Sequence, residues 1–149
     1  METVIPRIFV LPDYSFFLFG PRGTGKSTWL KQNYPDALWV DLLELDIFRS
    51  YSAHPERLKE VVLANPDKKT VVIDEIQKIP ELLDVIHSLI ESKLKIQFIL
   101  TGSSARKIKR TGADLLAGRV IKKTLHPFMA SELGRKFNLD LALKQGLLP

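Results

Sequence analysis

Apolar residues in this chain come in short runs separated by longer amphipathic stretches. Ser15-Phe16-Phe17-Leu18-Phe19, Ala37-Leu38-Trp39-Val40, Thr70-Val71-Val72-Ile73 and Ile96-Gln97-Phe98-Ile99-Leu100-Thr101 are rich in aromatic and β-branched types, as expected of buried strands. Between them, apolar positions recur at helical spacing. Leu58, Val61, Val62 and Leu63 share one side of 55–64, which Asn65-Pro66-Asp67 closes, and Leu82, Leu83, Val85, Ile86, Leu89 and Ile90 follow Pro80. Ser27 to Gln32 can also continue as a helix, and Arg119 to Leu125 offers a fifth strand. Strands alternating with helices make βαβ units, so the pattern predicts an α/β domain with a mostly parallel sheet and helices on both faces.

The turn between the first strand and the first helix carries the strongest chemical signal. Gly20-Pro21-Arg22-Gly23-Thr24-Gly25-Lys26-Ser27 has the spacing of a P-loop, in the strand, loop and helix setting that such a loop requires. Its glycines let the backbone come close to a polyphosphate with several N–H groups pointing inward, and the following helix adds the positive end of its dipole. Lys26 can neutralise the β and γ phosphates, the Ser27 hydroxyl can ligate Mg²⁺, and Thr28 is placed to touch the α phosphate. Gly20 to Thr28 is therefore the expected nucleotide-binding stretch, with ATP and Mg²⁺ as cofactors.

The third strand runs into Asp74-Glu75, which places two carboxylates at the sheet edge where ligands bind in such folds. Asp74 is the expected second metal ligand, a Walker B aspartate, and Glu75 the group that orients or deprotonates the attacking water. The fourth strand ends in Thr101-Gly102-Ser103-Ser104. Ser103 is the first candidate there to sense phosphate or place water, with Thr101 and Ser104 as alternatives, against ordinary turn and cap hydroxyls.

Composition narrows the picture. A chain of 149 residues, 45% hydrophobic and 26% charged, is the size and type of one soluble domain. It contains no cysteine, which excludes disulfides and thiolate metal sites, and His54, His87 and His126 lack ligand-like spacing. No apolar run is long enough to span a bilayer and the start does not resemble a secretory signal, so a cytoplasmic location is expected. The net charge of +5 favours polyanions without identifying one. The densest basic cluster, Ala105-Arg106-Lys107-Ile108-Lys109-Arg110, reads as a solvated helix face or a nucleic-acid contact, and no aromatic residues interleave with it to stack bases.

Four segments resemble prokaryotic AAA-type P-loop ATPases that carry a C-terminal domain of unknown function: Leu18 to Thr28, Ile73 to Leu83, Leu100 to Arg106 and Leu115-Leu116-Ala117-Gly118-Arg119. The resemblance implies a P-loop NTPase three-layer sandwich, its five-stranded sheet in the order 5-1-4-3-2, and ATP hydrolysis by a catalytic glutamate. It suggests phosphate-facing roles for Arg106 and for Arg119 as an arginine finger or sensor, beside the alternative that Arg119 pairs with a surface carboxylate. It divides the chain into an ATPase core, 1–127, and a stretch, 128–149, that begins the connection to a C-terminal domain. Apolar Leu133, Phe137, Leu139, Leu141 and Leu143 in that stretch predict an exposed patch and self-association.

The expected catalytic set is thus Lys26, Glu75, Ser103 and Arg119, with Ser27 and Asp74 on the metal. The expected function is ATP hydrolysis coupled to a C-terminal module, a protein partner or a homo-oligomer. An ATP-dependent nucleic-acid-binding protein and a slow nucleotide switch needing an arginine from a partner remain alternatives. A small-molecule kinase fits less well, because Glu75 beside Asp74 favours water as nucleophile.

Overall fold

A computed structural model of the chain describes residues 5–104, 106–107 and 116–147. Five strands, β1 (Phe16–Phe19), β2 (Leu38–Asp41), β3 (Thr70–Asp74), β4 (Gln97–Gly102) and β5 (Ile121–Thr124), form one sheet in the order β2-β3-β4-β1-β5. Every neighbouring pair is parallel. This is the expected 5-1-4-3-2 order read from the opposite edge. The helices are α1 (Lys26–Asn33), α2 (Leu45–Ala53), α3 (Arg57–Ala64), α4 (Leu82–Glu91), α5 (Ala130–Leu133) and α6 (Leu139–Gln145).

Strand alternation builds two cores on opposite faces of the sheet. Phe17, Phe19, Val71, Ile73, Phe98 and Leu100 join Leu58 and Val62 of α3 and Leu82, Leu83, Ile86 and Leu89 of α4 on one face. Phe16, Leu18, Val72 and Ile99 meet Trp29 and Leu30 of α1 on the other. The handedness of βαβ crossovers explains the split. The connection from β1 to β2 runs one way along the sheet and those from β2 to β3 and β3 to β4 run back, so right-handed crossovers put α1 opposite α3 and α4. Chains leaving the neighbouring strands β1 and β4 thus diverge, and a crevice opens beyond their C-terminal ends.

Helix α2 has no counterpart among the predicted elements, and α5 and α6 fall in the stretch 128–149, expected only as a connection. Only Tyr51 of the α2 residues is buried, with Ile47 and Phe48 packed partly against the core, so its apolar stripe is thin. The other elements start or stop within two residues of the expected bounds or lie inside them, the ordinary uncertainty of element ends. In the last stretch Leu139, Leu141 and Leu143 are exposed, while Leu133 and Phe137 are half-buried. No helix among the described residues is long and apolar enough to cross a membrane.

Candidate nucleotide site

The glycine loop lies at the crevice between β1 and β4. Gly23 and Gly25 take φ of 79° and 80°, the left-handed region closed to most side chains, and Gly25 directly precedes α1. Gly20 has a different reason to be glycine. A Cβ there would sit 2.2 Å from the Leu125 carbonyl oxygen, because the chain leaving β5 continues its pairing tight against the start of the loop, with Leu125 N–H donating to the Phe19 carbonyl at 2.7 Å. Gly20 N–H also donates to the Gly102 carbonyl at 3.3 Å, which fixes the loop to the tip of β4. Thr24 turns its hydroxyl inward, donating to the Pro21 carbonyl at 2.9 Å, and is fully buried. Within Gly20 to Thr28 it closes the loop on itself.

Lys26 is 6% exposed, and its ammonium donates to the Gly20 and Pro21 carbonyls at 2.7 and 3.0 Å. Burial pushes its pKa below the ordinary 10.5, while the Glu75 and Asp74 carboxylates pull in the opposite direction and Arg22 adds to the lowering. The next side chain, Ser27, donates to Asp74 Oδ2 at 2.7 Å. Residues 47 positions apart are thus brought together as the two expected metal ligands. A hydroxyl and a carboxylate are hard oxygen donors, the set suited to Mg²⁺.

Glu75 follows the end of β3 with φ 61° and ψ 48°, a left-handed conformation that costs a non-glycine residue about 1 kcal/mol or more. The fully buried Ile76 behind it and a hydrogen bond from its own N–H to Thr101 Oγ1 at 2.9 Å hold it there. Glu75 lines a cleft of about 410 Å³ together with Arg22, Gly23, Gly25, Lys26, Ser27, Thr28 and the exposed Leu43.

Two further candidates are Ser103 and Arg119. Ser103 sits just past β4, half-buried, and of the hydroxyls at the end of that strand the one that contacts the Asp74 carboxylate is that of Thr101, the alternative candidate. Thr101 is fully buried and donates to Asp74 Oδ1, because strand alternation aims it along the sheet edge at β3 while Ser103 lies beyond the strand. Arg119 is not brought to the loop of its own chain. It precedes β5, whose first residue pairs with the first residue of β1, so it sits at the sheet edge opposite the glycine loop. There it forms an ion pair with Glu91 at the end of α4. Of the basic cluster, Arg106 and Lys107 are exposed, and Ala105, Ile108, Lys109 and Arg110 lie outside the described residues, as does Leu115.

Sequence reasoning missed Arg7 and Gln77. Arg7 donates to the Thr24 carbonyl of the loop at 3.4 Å and to the His126 carbonyl, lies 4.5 Å over the Phe128 ring, and approaches Glu132 Oε1 at 3.2 Å. Glu132 in turn accepts from the backbone N–H groups of Ile8 and Met129, each at 2.9 Å. A single cation in an irregular segment has no periodic signal that would reveal this junction. Gln77 donates to Glu75 Oε2; it lies inside the segment Ile73 to Leu83 that carries the family resemblance, but that resemblance assigns it no role.

No curated protein matches the chain. The family model described as the AAA domain matches residues 13–134, which takes in the whole sheet, the glycine loop and both carboxylates. Nucleotide binding is the property that such membership and this cleft have in common, and the chain belongs to the AAA domain family.

Proposed function

We propose that this domain binds ATP with Mg²⁺ in the cleft above β1 and β4 and hydrolyses it to ADP and phosphate, passing the change of nucleotide state to a protein partner or C-terminal module. The observation that carries the reading is the contact of Ser27 Oγ with Asp74 Oδ2, which joins the glycine loop to the end of β3 beside Glu75.

In this reading Gly23 to Thr28 hold the phosphates through backbone N–H groups and the first turn of α1. Lys26 exchanges its carbonyl partners for phosphate oxygens, which is favourable because a buried ammonium gains a full opposite charge. Ser27 and Asp74 would hold Mg²⁺, which would supply positive charge to the phosphate oxygens. Glu75, on the cleft wall, orients the attacking water and takes its proton.

The test is Mg²⁺-dependent phosphate release from ATP by the wild-type chain and by Glu75→Gln, with nucleotide affinity measured on both. Turnover by the wild type, with binding but at least a hundredfold less turnover in the variant, is the expected result. Equal turnover in the two would remove Glu75 from the mechanism. The placement of Arg119 away from its own loop favours a second reading, a slow switch completed by a partner's arginine. Binding without turnover in both proteins, with hydrolysis appearing on self-association or partner addition, would select that one.

A further inference from the structure

Gln77 sits in a one-turn 3₁₀ helix, Ile76–Lys78, directly after Glu75. Its Nε2 donates to Glu75 Oε2, while its Oε1 is buried without a hydrogen-bond partner among the described residues. Buried acceptors without donors are uncommon in folded proteins. The orientation is nevertheless the one the chemistry demands, because rotating the amide to free the oxygen would set it against a carboxylate oxygen. The side chain is therefore committed to Glu75 at the expense of its own acceptor.

The turn that carries it is well anchored. Ile76 is fully buried and Ile79 is 2% exposed. Lys78 N–H donates to the Glu75 carbonyl at 3.0 Å, and the Lys78 ammonium lies 4.9 Å above the Phe48 ring on α2. A glutamate side chain has three rotatable bonds to fix before its carboxylate can face one water, and the left-handed backbone at Glu75 settles only its starting direction. We propose that Gln77 is a positioning residue, whose amide binds one oxygen of Glu75 and so presents the other to the nucleotide cleft.

This inference rests on the reading of Glu75 as the group that activates water. It predicts that the donor matters and the shape does not. In the full chain Gln77→Glu, which keeps the shape but replaces the donor by a repelling carboxylate, should lower kcat by about tenfold or more, with KM for ATP and nucleotide affinity unchanged within about twofold. Gln77→Met should lower kcat less than Gln77→Glu does. A residue that only fills the turn would rank them the other way, since glutamate is the closer match in shape.

A second readout does not depend on turnover. In nuclear magnetic resonance spectra the Gln77 side-chain amide protons should be shifted by the carboxylate, and Glu75→Ala should return them to the position of a free glutamine. Wild-type kcat in Gln77→Glu, or an amide signal indifferent to Glu75→Ala, would overturn the proposal. If Glu75→Gln abolishes turnover while Gln77→Glu retains it, positioning alone fails. If Glu75→Gln turns over like the wild type, the hydrolysis reading fails, and this inference with it.

Discussion

The Thr101 hydroxyl donates to Asp74 Oδ1 while accepting the Glu75 N–H at 2.9 Å, and on the other side of the same carboxylate Ser27 donates to Asp74 Oδ2 at 2.7 Å. Both Asp74 oxygens are thereby fixed by hydroxyls from different elements, and the strained Glu75 backbone is tied to β4. Thr101→Val preserves volume but leaves a buried carboxylate oxygen and a backbone N–H without this partner. It should cost about 1 to 3 kcal/mol of stability, read as a lower midpoint in urea. ATP turnover should fall by about tenfold or more through misplaced carboxylates. Thr101→Ser keeps the hydroxyl and should recover most of both. A Thr101→Val protein with wild-type stability and turnover would show that the hydroxyl does not organise the site.

Lys26 links nucleotide affinity to pH. Its pKa is lowered below 10.5 by burial, so in alkaline solution the folded protein releases this proton before the unfolded chain does. Stability contributed by Lys26 therefore rises as pH climbs through the folded value and levels off above the unfolded one. Nucleotide affinity should fall as pH rises above the folded value and the ammonium is lost. Thermal scans with and without ATP across alkaline pH should show the ATP-induced rise in Tm shrinking. Lys26→Met should show little ATP-induced rise at any pH.

Arg7 and Glu132 form a buried ion pair, their side chains 7% and 2% exposed, that ties the loop at Thr24 to the chain after β5. Arg7→Ala leaves the Glu132 carboxylate buried without its cation, which typically costs about 3 to 5 kcal/mol. The expected result is a drop in Tm on the order of ten degrees. Combining it with Glu132→Gln should recover part of the loss, because the uncompensated charge is then gone. If the double variant is no more stable than Arg7→Ala, the lost Phe128 and Thr24 contacts dominate instead.

Arg119 holds the Glu91 carboxyl below its ordinary 4.5, chiefly by its hydrogen bond and then by its charge. A carboxyl lowered on folding contributes stability above its unfolded value and loses it as pH falls through the folded one. Wild type and Arg119→Ala should therefore differ slightly in Tm at neutral pH and converge in acid. Turnover lost in Arg119→Ala only at concentrations where the wild-type chain associates would assign this arginine to a neighbour's cleft.

The alternating apolar runs determined the α/β class and its strands, because burial on two faces leaves a period in the sequence. The crossover rule turned that period into two layers of helices. The spacing of Gly20 to Ser27 and the pair Asp74-Glu75 were legible for a related reason, since each depends on residues adjacent in the chain. Helix α2 was not legible, because its hold on the core rests on Tyr51 and on partly buried neighbours rather than a full apolar face. Which hydroxyl of Thr101, Ser103 and Ser104 meets Asp74 required strand register. Which sheet edge Arg119 occupies, and the junction of Arg7 with Glu132, likewise depend on segments distant in sequence. The sequence by itself determined the glycine loop and the paired carboxylates. Only tertiary structure decided which side chains hold them in place, because such support comes from strand pairing and burial between segments that carry no common periodicity.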